Sequence, residues 1–598
     1  TYRFNWTSPI EVSATDANEV LIGANVVFKS TDGGQHWTPI SPDLTRNDKA
    51  KQVTSGGPIE YDISGAETYN TILTVNVAPT DTNVIWVGTD DGLVQVTKDG
   101  GKTWTNVGGH FPGLAADEEG RVYQVGISPF DAGTAYVTYD RHEFDDNRAY
   151  AYKTADYGKS WTRIDAGLPE YAAHVVREDP NARNFLVLGT DQGLWFSRNG
   201  GASWKAMKAD FPTTPVYDVK FVKASHDLLV ATHGRGLFAL DNISPLEGLT
   251  AEVATQDFHL FPVVPAVLRG RARGRSGVAP TNFTVRGAPQ GAVIDYYLQA
   301  GVDTTPPAGS PEAGGPGGGR GGRGGPGGGG RRSGARLVVT SAAGDTVFVD
   351  SSGPTKMGVN RMTWGLRWSG PAPLTIEPPQ GGEGGGGFRR GGFGPAVVPG
   401  TYTVTVSVAG KSGSQTVEVK PDPVQGGDPA RFQAQLAAGL QFRSELTALH
   451  EMLNHLVAIE TQIRNAQTAV RETGDTAAMG ALTRASRDLS RKLRQLKDTL
   501  YNSDQQRGAP EDDIHYLTRF ADKYQSLGFG VFGGYAQPPS PQLMDEWKVE
   551  RAQLDGFIAT FNGILNTDVA AYNQVANANH TPVLLGGAPI AIKAASAR

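Results

Sequence analysis

The 598-residue chain contains no cysteine, which excludes disulfides, thiol catalysis and thiolate metal centres. It has no run of about 18 apolar residues, the length a helix needs to cross a bilayer. Neither sign of charge dominates: 55 basic against 61 acidic residues leave a net charge of −6, too mild to point to a nucleic acid or a membrane as a general partner. The chain opens at Thr1 without an initiator Met or a signal peptide, and an N-terminal portion removed by processing is expected. Its length implies about three domains.

What the chain has instead is glycine, 77 residues of it, and self-similarity. "STDGGQHW" (30–37) returns as "TKDGGKTW" (97–104), "TADYGKSW" (154–161) and "SRNGGASW" (197–204). One frame fits all four, Ser/Thr-x-Asp-x-Gly-x-x-Trp: Ser30, Asp32, Gly34 and Trp37, then Asp99, Gly101 and Trp104, then Asp156, Gly158 and Trp161, and last Asn199, Gly201 and Trp204 with Asn in the acid's place. The flanks repeat as well, in "VIWVGTDDGLVQV" (84–96), "FLVLGTDQGLWFS" (185–197) and, without a following motif, "LLVATHGRGLFAL" (228–240). Each unit reads as four short antiparallel strands in roughly 45–60 residues, the pattern of a propeller blade. About five such units fill residues 1–245.

The motif's chemistry suits a hairpin lock. An Asp accepts hydrogen bonds from its own turn, glycine takes positive φ, and Trp packs between neighbouring sheets. Ca²⁺ is the alternative occupant of these turns, but each offers at most one carboxylate where Ca²⁺ takes six to eight oxygens. No other cofactor or metal is expected.

The repeat resembles the Asp-box (BNR) motif of sialidases, xyloglucanase-type glycosidases and sortilin-type receptors. "FKSTDGGQHWTPISPDLT" (28–45), "YVTYDRHEFDDNRAYAYKTADYGKSWTRI" (136–164) and "VATHGRGLFALDNI" (230–243) are similar to large bacterial secreted proteins described as sortilin-like or BNR-repeat propeller proteins. The resemblance extends over nearly the whole chain. It implies a secreted, periplasmic or cell-surface bacterial protein whose Asp-boxes are structural and lie away from any active site. Sortilin-type propellers have more blades than five, so an upstream fragment of the same precursor is expected to complete the ring.

Residues 246–427 read as a linker followed by a β-sandwich, with period-2 alternation in segments such as "GAVIDYYL" (291–298) and "GTYTVTVSV" (400–408). The segment resembles the Ig-like sandwich of flagellar hook-capping type. Two Gly/Arg-rich inserts, 309–334 and 380–394, interrupt it. Their composition resembles RGG-type nucleic-acid segments, though surface loops account for it more simply. From 428 to 598 the period turns helical: Leu446, Leu449, Leu453, Leu456, Ile459 and Ile463 share one face, and four antiparallel helices make a bundle that suits docking or dimerisation. "HEMLNH" (450–455) fails as a zinc motif, because His450 and His455 are five apart rather than four. The expected fold is therefore multidomain and mainly β: Asp-box β-propeller blades, an Ig-like β-sandwich and a C-terminal α-helical bundle.

The densest polar cluster is "YDRHEFDDNR" (139–148), where Asp140, Glu143, Asp145 and Asp146 stand beside Arg141 and His142. Two acids near a base would suit glycosidase chemistry, and a solvated, ion-paired loop explains the same residues. Glu67 and Tyr69 in "YDISGAETYNT" are similar to the Tyr–Glu pair of sialidases. His233 and Arg235 form a turn facing outward from the fifth unit. No nucleophile elbow, Walker loop or dinucleotide fingerprint occurs. The leading reading is a non-catalytic sortilin-like propeller binding protein or peptide partners. A sialidase- or xyloglucanase-type glycan hydrolase and a subunit of an extracellular assembly or filament are the alternatives.

Overall fold

The computed structural model describes residues 2–53, 68–115, 118–208, 211–269, 290–302, 334–375, 394–502 and 517–594. Glu67 and, but for residues 334 and 394, both Gly/Arg-rich inserts lie outside them. The chain separates into two compact units, Thr1–Ala251 and Glu252–Arg598. No described helix is long and apolar enough to cross a membrane.

The first unit is a β-propeller array of five antiparallel sheets, each with its strands in chain order. Sheet I holds β1 (Ile10–Val12), β2 (Val20–Gly23), β3 (Val27–Ser30) and β4 (Thr38–Pro39). Sheet II holds β5 (Ile72–Ala78), β6 (Asp81–Thr89), β7 (Val94–Thr97) and β8 (Thr105–Asn106), and sheet III β9 (Arg121–Ser128), β10 (Asp131–Asp140), β11 (Ala151–Thr154) and β12 (Thr162–Arg163). Sheet IV holds β13 (Ala173–Glu178), β14 (Leu186–Thr190), β15 (Gly193–Ser197) and β16 (Lys205–Ala206). Sheet V has only three strands, β17 (Val216–Val222), β18 (Asp227–Thr232) and β19 (Leu237–Leu240).

The first strands β1, β5, β9, β13 and β17 are neighbours in that order, so successive sheets pack face to face. That packing explains the strand sequences. β6 and β14 are buried on both faces through Val84–Thr89 and Leu186–Thr190, and read as continuous apolar runs rather than alternation. It also explains Gly88 in "WVGTD", where a Cβ would stand 2.3 Å from Val122 of the next sheet. The glycine lets the neighbouring strand come close.

The second unit begins near two short helices, α1 (Ser244–Gly248) and α2 (Ala251–Ala254), and holds two sheets. One orders β20 (Phe258–Leu260), β22 (Ala292–Leu298) and β25 (Gly358–Trp364). The other orders β21 (Ala266–Leu268), β27 (Lys411–Pro421), β26 (Gly400–Val408), β23 (Ala335–Ser341) and β24 (Thr346–Gly353), with β21 parallel to β27. Ile294, Tyr296 and Trp364 from the first share one core with Leu337, Val404, Val406 and Val417 from the second.

The helices follow. α3 (Pro429–Thr473) is capped by Asp428, whose carboxylate accepts from Ala430 N, and ends at Gly474 with φ of 73°. Asp475 then caps α4 (Thr476–Leu500), so Gly474 and Asp475 reverse the chain in two residues. Beyond the undescribed 503–516 come α5 (Phe520–Ser526), α6 (Gly528–Phe532), α7 (Pro541–Gly563), one π-helical stretch (Ile564–Val569) and α8 (Ala570–Ala578). Instead of four separate helices, α7 runs through the π-helical stretch into α8, and the third position is split into two short turns.

The sheets and helices of this unit are not separate bodies. The His450 ring Nδ1 lies 2.6 Å from the Ala372 carbonyl, and Asn454 accepts from Thr375 N at 2.8 Å and donates to the Pro373 carbonyl. His450 is thus spent on chain 366–375, and the described residues contain no cluster of three or more potential metal ligands.

A buried carboxylate ties the helices together. Glu445 on α3, fully buried, accepts from Tyr524 of α5 at 2.5 Å and Trp547 of α7 at 2.7 Å, and pairs with Arg551 of α7. Each oxygen is satisfied, so removing the acid strands two buried donors, Tyr524 and Trp547, and leaves the half-buried Arg551 without its partner on α3. Glu445→Ala should cost about 3–5 kcal/mol in urea unfolding of the full chain, in the transition reporting the second unit, and leave the other transition in place.

Candidate functional site

In sheets I to IV the Ser/Thr and the Asp or Asn of the turn motif bond within their own turn. Thr97 Oγ1 donates to Asp99 at 2.7 Å, Gly101 N donates back to Thr97 Oγ1 at 3.0 Å, and Thr103 N donates to Asp99 at 2.9 Å. The same three bonds recur around Asp156 and Asn199. Around Ser30 and Asp32 they recur with Gly34 N and His36 N as donors, and His36 Nδ1 adds a contact of 2.6 Å. The hydroxyl of Thr103 holds the Asp99 carboxyl at about 2, that of Ser160 holds Asp156 at about 2, and the His36 ring takes Asp32 lower still. These motifs meet the hairpins between first and second strands, through Gly33 N to Asn18 O, Gly100 N to Asn83 O and Gly200 N to Asn184 O.

The opposite end gathers the loops that enter each first strand and the loops that follow each second strand. Asp90 N donates to Thr71 O, Asp191 N to Ala172 O and His233 N to Pro215 O, the same joint in sheets II, IV and V. Tyr69 and the candidates of 140–148, His233 and Arg235 all belong to this end.

The 140–148 excursion is an ion-paired loop. Asp140 is buried and accepts from His142 N at 3.0 Å, with His142 Nδ1 2.7 Å away. Arg148 grips Asp146 with two bonds of 2.8 Å, Tyr150 donates to it at 2.7 Å, and Arg141 lies 3.3 Å away. Arg148 therefore holds the Asp146 carboxyl far below the usual range. Arg141 also reaches Glu118 at 3.1 Å, and Glu143 pairs with Arg121 at 2.7 Å. Asp145 takes the left-handed position that closes the turn, φ 58°, and is exposed. Tyr69 donates to Glu119 at 3.4 Å; Glu119 also pairs with Lys51, and its carbonyl accepts from Arg141 at 2.5 Å. Burial pushes the Tyr69 phenol up.

Beside this loop stands a ring cluster that belongs to none of the sequence motifs. Tyr123 of β9, His174 of β13 and Tyr217 of β17 occupy one place in successive first strands. His174 stacks on Tyr217 with centroids 4.4 Å apart at 22°, and Tyr123 meets both rings edge-on at 4.8 and 5.5 Å. His233 joins at 5.2 Å from Tyr217, whereas Arg235 stays exposed in its turn outside the cluster. His174 is buried, with Nε2 2.7 Å from Asp191, and its ring holds that carboxyl below the usual range. Its Nδ1 has no hydrogen-bond partner among the described residues. Burial raises both phenols, which remain protonated donors. In "RVYQV", "AHVV" and "PVYDV" a ring follows the buried aliphatic residue at the start of each strand, a local trace that does not show the rings meeting.

Asp90 is the exception in charge. Its buried carboxyl accepts from Thr71 N at 2.8 Å and Thr71 Oγ1 at 2.6 Å, yet burial outweighs these bonds and raises it to about 6.

No protein-family model matches the chain. A stretch of 88 residues is 36% identical to the oligoxyloglucan reducing-end-specific xyloglucanase of Emericella nidulans, covering 15% of this chain and 10% of that protein. A longer stretch of 206 residues is 26% identical to the photosystem II assembly lipoprotein Ycf48 of Synechococcus sp. (strain CC9902), covering 33% of this chain and 49% of that protein. The chain thus spans half or less of the length of these relatives. Among solved structures, the GH74 xyloglucanase from Xanthomonas campestris is similar at a TM-score of 0.30 and 19% identity, over 39% of this chain and 36% of that one. YCF48 bound to D1 peptide is similar at a TM-score of 0.26 and 16% identity, over 44% of this chain and 72% of that one. Hydrolases and an assembly factor stand side by side among these relatives, so similarity leaves the activity open.

The pH dependence of Asp90 has a definite sign. A carboxyl raised in the folded state favours folding fully below about pH 4, and that contribution is lost as pH rises through its folded value of about 6. The gap corresponds to about 3 kcal/mol. Asp90→Asn, which keeps an acceptor for Thr71 N, should leave stability near pH 4 unchanged and raise it at pH 7.5, as read from urea midpoints at the two pH values.

Proposed function

We propose that the chain is a non-catalytic, secreted or cell-surface binding protein of bacterial type. Its Asp-box, sortilin-like propeller presents the loop end to a protein or peptide partner. The Ig-like sandwich and helices of the second unit serve as its docking module. The observation that carries this reading is the ring cluster of Tyr123, His174, Tyr217 and His233, with a buried Nδ1 on His174 lacking a donor. The phenols of Tyr123 and Tyr217 and the exposed imidazole of His233, with His174 buried against Tyr217, form a platform for an aromatic or apolar ligand side chain. Ycf48, one of the sequence relatives, is by name an assembly protein, which accords with a binding role.

Hydrolysis by paired carboxyls is less well supported. It needs an accessible acid that stays protonated at neutral pH beside an ionised partner. Asp140 and Asp146 are bound by His142 and Arg148, and Asp90 is buried against Thr71. The xyloglucanase match keeps glycan cleavage as the rival. A companion fragment completing the propeller belongs to the main reading.

The test exposes the full chain to an array of unstructured peptides with and without aromatic side chains, and to xyloglucan oligosaccharides and sialosides. Aromatic peptides should be retained, with about a tenfold loss for Tyr217→Ala or His174→Ala, and no reducing sugar should appear. Release of sugar that disappears in Asp140→Asn or Asp146→Asn would establish the hydrolase instead.

A further inference from the structure

The tryptophans of the turn motifs do more than fill space, and one of them is left without its counterpart. Trp104 of sheet II donates its indole N–H to the Ile40 carbonyl of sheet I at 3.1 Å. Trp161 of sheet III donates to Val107 of sheet II at 2.8 Å, and Trp204 of sheet IV to Ile164 of sheet III at 2.5 Å. The three acceptors are equivalent: each is the aliphatic residue directly after a two-residue fourth strand, fixed by its own N–H to the third strand (Ile40 N to Val27 O, Val107 N to Val94 O, Ile164 N to Ala151 O). The motif glycine closes on the same residue. A Cβ on Gly101, Gly158 or Gly201 would meet Ile40, Val107 or Ile164 at 2.6 to 2.8 Å, whereas one on Gly34 would meet only Trp37 of its own turn, at 3.5 Å.

Trp37 is 39% exposed, against 7% for Trp161 and 6% for Trp204, and none of the described hydrogen bonds uses its indole N–H. The sheet face beside it is apolar and open: Ile10 is 66% exposed and Val12 52%. Among the described residues, Tyr2 and Phe4 cover its Phe28 edge.

We propose that this face of sheet I docks a further four-stranded sheet from polypeptide outside residues 1–598, whose aliphatic residue after its short fourth strand accepts the Trp37 N–H. The occupant is identified by the joint repeated at three interfaces. A second copy of this chain does not fit, because its sheet V ends at β19 with no fourth strand and so carries no such acceptor at its free end. The inference rests on the companion-fragment part of the function proposed above and is independent of the ring cluster at the opposite end.

The full chain extended at its N-terminus by a duplicate of residues 68–115, which carries Val107 in the acceptor place, tests it. Hydroxyl-radical oxidation of Trp37 should fall at least about fivefold on extension. In the unextended chain Trp37→Phe should leave the melting temperature unchanged, while Trp161→Phe and Trp204→Phe each lower it by about 2–4 °C. Three outcomes overturn the proposal: undiminished oxidation of Trp37 beside a protease-resistant duplicate, a cost for Trp37→Phe equal to that for Trp161→Phe in the unextended chain, or protection of Trp37 within a dimer of that chain. Peptide retention at the loop end is untouched by any of them, so the two proposals fail separately.

Discussion

The N-terminal unit depends on one hydrogen bond made three times, from the indole N–H of a motif tryptophan to a backbone carbonyl in the sheet before it. Face-to-face packing of apolar sheets is non-directional and leaves their relative rotation free. A buried indole that must find an acceptor removes that freedom, since an unmatched donor in the interface costs about 1–3 kcal/mol. The Ser/Thr and Asp of the same motif hold the tryptophan's hairpin through bonds made within the turn.

Because the joint sits at one end of the sheets, the other end is where the loops diverge in length and chemistry. Sheet IV turns in a few residues between β14 and β15, whereas sheet III inserts the whole Asp140–Tyr150 excursion between β10 and β11. The excursion carries many charges, and most of them pair within it or with the neighbouring Glu118 and Arg121, so its net effect is a firm rim rather than a reactive centre. The uncommitted chemistry lies beside it, where three neighbouring strands bring Tyr123, His174 and Tyr217 into ring contact. A carboxylate gripped by Arg148 is a poor acid, and a stacked imidazole with a free lone pair is a good acceptor.

The second unit solves a different problem, the attachment of helices to sheets. The chain between β25 and β26 leaves the sheets and is received by α3, where His450 and Asn454 take up its backbone groups. Arg443 lies over the Trp368 ring at 5.5 Å from the same helix. Within the helices Glu445 plays the complementary part, a buried acid whose partners Tyr524, Trp547 and Arg551 come from α5 and α7. These contacts make one body of what the change of hydrophobic period marks as two segments.

Much of this was legible in the residues. The period of the motif announces successive four-stranded units, and the spacing of Leu446, Leu449, Leu453 and Leu456 announces a helix, because local turn chemistry and side-chain periodicity act within a few residues of chain. The 139–148 stretch was visible as a charged cluster, but its role was not: whether Asp146 meets a substrate or Arg148 depends on how a loop folds back. The Tyr123, His174 and Tyr217 cluster was hidden for a stronger reason, since its members lie about 45–50 residues apart and meet only when three sheets stand side by side. "STDGGQHW" shows both sides of the division. By itself it determines a hairpin held by Asp32 and Ser30, through bonds that span four residues. That Trp104, Trp161 and Trp204 find a carbonyl in a neighbouring sheet and Trp37 does not is a fact about packing, and packing exists only in the tertiary structure.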